Sequence, residues 1–133
     1  MIGIDYSANF IKQCNRLLEE KEMDYECKLE GDIYQKLRAR LDSDVNVDRI
    51  KFEVGDACNL REDLGQFDLV LASNLICRLT EPQKFLSRLK TLVKKNGYVI
   101  LSTPFTWGEQ FTPKVYKYYL LNNQSICLFN LLI

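Results

Sequence analysis

The stretch IKFEVGDACNLREDLGQFDLVLASNLICRL, residues 50–79, decides the fold of this chain. It contains two short apolar runs, at residues 50–54 and 67–72, and small or polar residues follow each run. Runs of this length that end in turn residues predict buried strands of a parallel sheet. Ligands of open α/β sheets lie at the carboxyl ends of the strands. We therefore expect the functional chemistry at Asp56 and Asn74.

A strand, a turn and a helix are predicted at the start of the chain. Residues 1–5 form an apolar run that ends in Asp5, and Ser7 is a suitable N-cap for a helix that reaches Met23. Apolar residues at helical spacing support this helix. They are Phe10, Ile11, Cys14, Leu17 and Leu18.

The pattern is looser between this helix and the central stretch. Residues 25–29 are consistent with a short strand. The apolar residues that follow favour one face of a helix. They are Ile33, Tyr34, Leu37 and Leu41.

A further helix and a further strand are predicted after the central stretch. Thr80 and Gln83 predict a capping box around Pro82, and Asn96 with Gly97 predicts the helix end. Residues 98–103 predict a buried strand. The buried stripe of the helix is Phe85, Leu86, Leu89, Leu92 and Val93. The resulting order, β-α-(irregular)-β-β-α-β, predicts an α/β fold with a doubly wound parallel sheet.

Composition narrows the class of protein. A chain of 133 residues has room for one domain. Its 18 basic residues balance 18 acidic ones without a basic block, so neither nucleic acid nor a membrane surface is an expected partner. The five cysteines form no C-x-x-C pair and the chain has no histidine, which argues against a metal site, a disulfide framework and His-based catalysis. We expect a reducing, cytoplasmic compartment, because no signal peptide or long apolar run is present.

Asp5 and Asp56 have the chemistry that a nucleoside ligand requires. A carboxylate at a strand end accepts both ribose hydroxyls in dinucleotide-binding folds. A second carboxylate can accept from the exocyclic amine of adenine. Gly55 frees the backbone beside Asp56, and Ala57 leaves room for a flat ring. For Asp5 the alternative is open that its side chain only caps a turn.

Four segments resemble the class I S-adenosylmethionine-dependent methyltransferases from their second strand to their fifth: GIDYS at 3–7, GDA at 55–57, FDLV at 67–70 and KNGYVI at 95–100. More narrowly, IDYSANFI, FEVGDACNL, FDLVLASNLICRL and STPFTWGEQFTP are similar to the C-terminal mercaptohistidine methyltransferase domain of the ovothiol-biosynthesis enzymes. The resemblance covers residues 2–114. It implies a partial Rossmann-like sheet that contains the second to fifth strands of the family and lacks the first.

The resemblance also implies a binding site for S-adenosylmethionine. Asp5 would bind the ribose, Asp56 would recognise adenine together with the backbone that follows it, and Asn74 would border the methionine end and the methyl group. The full set of implied cofactor-binding residues is Asp5, Tyr6, Asp56, Ala57, Cys58 and Asn74.

The implied reaction is methylation of an imidazole nitrogen of a thiolated histidine. It depends on in-line alignment, so no catalytic base is assigned. Arg78 would bind the substrate carboxylate, and Phe105 or Trp107 would stack on the imidazole. The alternatives are a surface position for Arg78, and core packing or lid closure for the two aromatic residues. Cys58 and Cys77 are interpreted as small buried hydrophobic residues rather than nucleophiles.

The chain departs from the family at both ends. It contains no G-x-G pattern, and in the class I sheet the missing first strand lies between the second and the fourth. Residues 2–5 and 67–72 are therefore expected either to pair directly or to leave backbone groups unpaired. No carboxylate follows Glu109. We expect a fragment, with a partial methyltransferase domain at residues 1–114 and a tail at 115–133 that is either non-native or a helix or strand covering the sheet.

Three functions stay open from the sequence. They are methylation of a thiolated histidine, methylation of another small metabolite, and a non-catalytic remnant that acts as an interaction module. The missing glycine loop favours the remnant, whereas the presence of both Asp5 and Asp56 favours an enzyme. A nicotinamide-binding protein ranks last, because GDACNL is not expected after its third strand. The expected partners are a small-molecule substrate and, by the resemblance, a fused or associated iron-dependent sulfoxide synthase.

Overall fold

The structure is a computed structural model, and it describes residues 1–104 and 106–113. The chain divides into two compact units, one spanning Met1–Asp56 and the other beginning at Ala57. The helices and strands of the described residues are β1 (Ile2–Asp5), α1 (Ala8–Glu20), β2 (Glu22–Glu30), β3 (Ile33–Arg40), β4 (Lys51–Val54), β5 (Phe67–Ser73), α2 (Pro82–Leu92) and β6 (Val93–Ser102).

The first unit is built on the parallel pair β1–β4. Its register runs from Ile2 opposite Lys51 to Asp5 opposite Val54, and α1 contacts both strands. The predicted N-cap is confirmed, because the Ser7 hydroxyl accepts from the Phe10 N–H at 3.3 Å.

Two details of the first helix differ from the prediction. It ends at Glu20 rather than Met23, because Lys21 adopts a left-handed conformation with φ of 64° and caps the helix end. Ile11 is buried as predicted, but Phe10 is 62% exposed and lies outside the buried stripe. The helix therefore buries a narrower apolar face than its sequence pattern indicates.

The loosely patterned region forms an antiparallel hairpin, β2–β3. The predicted strand at 25–29 is confirmed and extends over Glu22–Glu30, but the predicted helix face at Ile33, Tyr34, Leu37 and Leu41 is wrong. Gly31 has a φ of 52° and supports the tight reversal between the strands. Opposite charges then face each other across the hairpin: Arg40 bonds Glu22 at 2.8 Å, and Arg38 bonds Asp24. Turn geometry and cross-strand pairing outweigh the helical spacing.

The second unit places α2 against the parallel pair β5–β6 and forms a hydrophobic core there. Phe85 and Leu89 of the helix are buried, at 4% exposure each, against the sheet. The core cluster is Ala72, Leu79, Phe85, Leu89, Val93 and Val99. The predicted apolar stripe of α2 is thus confirmed in its central residues.

The predicted boundaries of α2 are wrong at both ends. Pro82 occupies the first turn with Glu81 as N-cap, and no side chain caps the helix, so the predicted capping box with Thr80 does not form. A proline there needs no hydrogen-bond acceptor for its nitrogen, which favours this start. At the other end the helix stops at Leu92, and Asn96 with Gly97 lies inside β6.

A register shift accounts for this misplaced helix end. Phe67 pairs with Val93 but Leu69 pairs with Tyr98, so the segment between them bulges out of β6. Asn96 takes a positive φ of 66°, and a Cβ at Gly97 would lie 2.9 Å from the Asp68 carbonyl oxygen. The same residues that favour a helix stop therefore also suit a bulge.

The observed fold is a mixed α/β fold with small parallel and antiparallel sheets, in agreement with the predicted partial Rossmann-like class. Among the described residues the strands form three two-stranded sheets, β1–β4, β2–β3 and β5–β6. No ladder in this part of the chain joins β1 to β5, so the direct pairing considered above does not occur. Neither described helix is long and apolar enough to cross a membrane.

Candidate functional site

The carboxyl edge of the β1–β4 pair carries the two predicted carboxylates. Asp5 is the last residue of β1, and its carbonyl oxygen accepts from the Gly55 N–H at 3.0 Å. Asp56 follows Gly55, two residues beyond the end of β4, so the two acidic residues lie at the carboxyl ends of adjacent parallel strands. Both side chains are exposed. This is the arrangement that the strand-end rule predicts for a ligand site.

The Asp5 carboxylate has a local structural role as well. Its Oδ1 accepts from the Ser7 N–H at 2.7 Å, which closes the turn that leads into α1. The turn-capping alternative is therefore realised at this residue. An ionised carboxylate has about four lone-pair sites, so this single bond leaves acceptor capacity on Asp5 for a ligand. Tyr6, between the two residues, is 82% exposed.

Gly55 is required by close packing between the strands. A Cβ at this position would lie 2.7 Å from Ile4 Cγ2 of β1. The sequence suggests that glycine is needed here for backbone freedom, whereas the structure shows that it is needed for space. A side chain at this position would push the two strands apart, and with them Asp5 and Asp56.

Ala57 and Cys58 begin the second unit in a short 3₁₀ helix, Ala57–Asn59, and pack against its hydrophobic core. The Cys58 thiol donates to the Glu81 carbonyl oxygen at 3.6 Å. Cys77 is completely buried. The interpretation of these cysteines as packed, small hydrophobic residues is consistent with both positions.

The carboxyl ends of β5 and β6 carry a polar cluster, which we call the serine–asparagine cluster: Ser73, Asn74 and Ser102. The Ser73 and Ser102 hydroxyl oxygens lie 3.0 Å apart. The Asn74 N–H donates to the Ser102 carbonyl oxygen at 2.9 Å and to its hydroxyl at 3.2 Å. Asn74 has a positive φ of 52°, a conformation that asparagine tolerates better than most residues.

Ser102 was missed by reasoning from the sequence, although a signal for it existed. It is the last residue of β6. The rule that singled out Asp56 and Asn74, that ligands meet the carboxyl ends of parallel strands, applies equally to this position.

Arg78 contacts the loop that follows β6. Its guanidinium carbon lies 4.6 Å from the centroid of the Phe111 ring, and its Nη2 donates to the Thr106 hydroxyl at 3.4 Å. The same loop is anchored by Thr112, which is 2% exposed and donates to the Leu79 carbonyl oxygen at 2.7 Å. Arg78 thus has partners within the protein in addition to any role toward a substrate.

Of the two aromatic residues predicted to stack on the substrate, the structure describes only Trp107. Trp107 is half-buried, and its Nε1 is buried without a hydrogen-bond partner among the described residues. Phe105 lies outside the described residues. The predicted tail at 115–133 also lies outside them.

Two carboxylates outside the predicted site have lowered pKa values. The pKa of Asp24 is lowered chiefly by its hydrogen bond from Arg38, and the pKa of Asp68 is lowered chiefly by its hydrogen bonds from Lys94. These carboxylates belong to a hairpin and to the start of a strand. No group of three or more metal-ligating side chains occurs within residues 1–104 and 106–113.

Two parallel strand pairs, with α1 between the strands of the first and α2 between those of the second, define a protein of the α/β class with a partial Rossmann-like fold. Residues 1–101 of the 133-residue chain match the family described as Methyltransferase domain. The chain therefore belongs to that methyltransferase family, whose members use S-adenosylmethionine as methyl donor. A search of curated proteins gave no match to the chain.

The residues of the strand ends fit the chemistry of this methyl donor. Its ribose presents two hydroxyl donors, and the exposed Asp5 carboxylate retains acceptor sites beyond its bond to Ser7. Its amino-acid end presents a carboxylate and an ammonium group, and the amide of Asn74 provides both a donor and an acceptor. Both residues are exposed, each within its own unit.

Proposed function

We propose that this chain binds S-adenosylmethionine at its strand ends and belongs to an enzyme that methylates an imidazole nitrogen of a thiolated histidine. The proposal of cofactor binding rests on the β1–β4 edge, where the hydrogen bond from Gly55 to the Asp5 carbonyl brings two carboxylates to adjacent strand ends. The motif resemblance over residues 2–114 supports the acceptor.

The proposed roles follow the chemistry of each side chain. In the first unit, Asp5 and Tyr6 bind the ribose, and Asp56 accepts from the amine of adenine. In the second unit, the backbone of Ala57 and Cys58 contacts the adenine ring, and Asn74 contacts the amino-acid end.

Alignment is the main task of the protein in this reaction. S-adenosylmethionine supplies a methyl group that its sulfonium sulfur already activates. A neutral imidazole nitrogen attacks with its own lone pair, so the chain needs to bind, orient and desolvate rather than remove a proton beforehand. This requirement suits a chain without histidine.

The acceptor site is proposed in the second unit. Arg78 binds the acceptor carboxylate while its guanidinium face rests on Phe111, since the stacked face leaves N–H groups at the guanidinium edge. Trp107 stacks on the imidazole, and Phe105 is the alternative stacking residue. The engagement of Arg78 with Thr106 favours, as a second candidate, a methyltransferase for another small metabolite, in which this arginine only holds the loop. A non-catalytic interaction module is the third candidate.

The cellular setting proposed here is a reducing, cytoplasmic one, with an iron-dependent sulfoxide synthase as a fused or associated partner. The four described cysteines, Cys14, Cys27, Cys58 and Cys77, are all free thiols, which supports a reducing compartment. The proposal of a sulfoxide synthase as partner rests on the motif resemblance over residues 2–114.

Calorimetric titration with S-adenosylhomocysteine tests the cofactor site, with circular dichroism as a check of folding. Asp5→Asn is the informative variant, because asparagine still accepts from the Ser7 N–H but loses the negative charge. We expect it to weaken binding by roughly 10- to 100-fold, since hydrogen bonds to charged groups are the stronger ones. Asp56→Asn is expected to act similarly.

Asp32→Asn, in the turn of the hairpin, is the matched control and is expected to bind as the wild type does. Unchanged binding by both Asp5→Asn and Asp56→Asn would contradict the proposed cofactor site. Transfer of a labelled methyl group to thiolated histidine, compared with histidine and other imidazoles, tests the acceptor. Transfer to a different metabolite alone would support the second candidate, and binding without transfer to any acceptor would support the third.

A further inference from the structure

The hydroxyl of Ser102 is at the centre of the serine–asparagine cluster. It lies 3.0 Å from the Ser73 hydroxyl, 3.2 Å from the Asn74 backbone nitrogen and 3.5 Å from Asn74 Oδ1. The side-chain nitrogen of Asn74, Nδ2, makes no hydrogen bond within the described residues. One serine on β6 therefore contacts both the backbone and the side chain of the residue that follows β5.

A hydroxyl has one proton to donate and two lone pairs that accept. The Asn74 N–H occupies one lone pair of Ser102. If the Ser73 hydroxyl donates to the second lone pair, the single proton of Ser102 goes to Asn74 Oδ1. The Ser102 hydroxyl then makes all three contacts, with its one proton donated and both lone pairs accepting, while the Asn74 N–H is shared between this hydroxyl and the Ser102 carbonyl oxygen.

In this proton arrangement the contact with Ser102 sets the rotation of the Asn74 amide. With Oδ1 held by Ser102, Nδ2 is the amide atom that remains to interact with a ligand. The left-handed backbone of Asn74 is held in the same way, because its N–H donates to both the carbonyl and the hydroxyl oxygen of Ser102. A strained conformation at a strand end persists when its neighbours hold it in place.

We propose that Ser102 is a positioning residue, and that it orients Asn74 so that Nδ2 donates to the carboxylate of an α-amino acid. This inference rests on the proposed function and deepens it. The carboxylate belongs either to the methionyl end of the methyl donor or to an amino-acid methyl acceptor. The two sources present the same group to Nδ2 and are separated by the ligands used below.

The reverse orientation of the amide makes the opposite prediction. In that case Nδ2 donates to Ser102, the proton of Ser102 goes to Ser73, and Oδ1 faces the ligand. Oδ1 would then accept from an ammonium group and repel a carboxylate. Asn74→Asp distinguishes the two orientations by the sign of its effect, because an ionised aspartate only accepts and carries a negative charge.

The experiment compares variants of the 133-residue chain by calorimetric titration with S-adenosylhomocysteine and with methylthioadenosine, which lacks the amino-acid end. We expect Ser102→Ala to weaken binding of the first ligand about tenfold, and Ser102→Thr to recover most of that loss because it restores the hydroxyl. Asn74→Asp is expected to weaken binding at least as much. Ser87→Ala, on the exposed side of α2, is the control and is expected to change nothing.

Methylthioadenosine identifies the source of the carboxylate. If the methionyl end is bound, Ser102→Ala leaves the affinity for methylthioadenosine unchanged. If the acceptor is bound, Ser102→Ala leaves both affinities unchanged but raises KM for the amino-acid acceptor about tenfold with little change in kcat.

Three results would overturn the inference: Asn74→Asp binding more tightly than the wild type, Ser102→Thr failing to recover what Ser102→Ala loses, or Ser102→Ala changing neither affinity nor KM. A wild-type chain that is folded but binds neither nucleoside would instead refute the proposed function, and the ligand part of this inference with it. The Asn74 side-chain amide resonances then test the hydrogen bond alone, since Ser102→Ala must shift them if Ser102 holds Oδ1.

Discussion

The two parallel strand pairs have the same architecture, two parallel strands with a helix packed against them, but they differ in the contacts that stabilise them. The β5–β6 pair and α2 belong to the second unit, which holds ten of the buried hydrophobic residues of the described chain, whereas Ile11 is the one in the first unit. The β1–β4 pair instead packs side chains of one strand against glycines of the other, with the Phe52 ring against Gly3 and the Ile4 side chain against Gly55. The second unit therefore has a hydrophobic core, and the first has close contacts between its strands.

The exposed hairpin of the first unit extends this contrast. Its ion pairs, such as Arg40 with Glu22 at 2.8 Å, lie on the surface, where such pairs contribute about 0–1 kcal/mol each. The apolar Leu29 and Ile33 of the hairpin are more than 60% exposed. Polar residues at strand ends are therefore supported by a buried hydrophobic core in the second unit and by close contacts at glycines in the first.

The largest expected effect comes from breaking the core of the second unit. Phe85→Ala removes a ring that is 4% exposed, and we expect it to lower the free energy of unfolding by about 3–5 kcal/mol. Phe10→Ala in the first unit, where the ring is 62% exposed, is the matched control and is expected to change it by no more than about 0.5 kcal/mol. Urea unfolding followed by circular dichroism measures both, and equal losses would refute the contrast between the units.

A glycine substitution in each unit gives a smaller effect. Gly97→Ala places a Cβ 2.9 Å from the Asp68 carbonyl oxygen and 3.0 Å from the Lys94 carbonyl oxygen, and we expect a loss of about 1–3 kcal/mol because backbone must move. Gly3→Ala meets only the ring of Phe52, at 2.5 Å, which can shift. Urea midpoints of the two variants should therefore rank Gly97→Ala as the less stable, and the opposite order would show that the first unit tolerates strain less.

Removal of one buried hydroxyl tests the anchor of the loop after β6. Thr112→Val leaves the Leu79 carbonyl oxygen without its donor, and we expect a loss of about 1–2 kcal/mol in the free energy of unfolding. Thr106→Val removes a hydroxyl that accepts from Arg78 at the surface, and it is expected to cost less than about 0.5 kcal/mol. Equal stability of the two variants would indicate that the loop is not anchored by Thr112.

The smallest effect is expected from pH. The pKa of Asp24 in the first unit and that of Asp68 in the second are lowered by hydrogen bonds from Arg38 and Lys94. A carboxyl with a lowered pKa in the folded state stabilises the fold above its unfolded pKa, and this contribution is lost as pH falls through the folded value.

The pH effect is measured as the change in urea midpoint between roughly pH 7 and roughly pH 3. Asp24→Asn and Asp68→Asn are each expected to make the midpoint less dependent on pH, by a small amount, because both carboxylates are exposed. A midpoint that depends on pH as strongly in both variants as in the wild type would mean that these pairs do not contribute to stability.

Much of the architecture follows from short-range patterns. The apolar runs at residues 50–54 and 67–72 became strands, Ser7 capped a helix, and the buried stripe of α2 centred on Phe85 and Leu89. These features depend on burial and on hydrogen bonds between residues that are close in sequence. The local sequence is therefore enough to predict them. The helix predicted over Ile33–Leu41 is wrong, because these residues pair with the neighbouring strand β2 across the turn at Gly31, and helical spacing alone does not report that pairing.

For the site, the residue types and the edge they occupy could be read from the chain, since a polar residue after an apolar run marks a strand end. Which groups meet at that edge depends on register. The bond from Gly55 to Asp5, the bulge that absorbs Asn96 and Gly97, and the contact of Ser102 with Asn74 all join residues far apart in sequence, so only the folded arrangement of paired strands decides them.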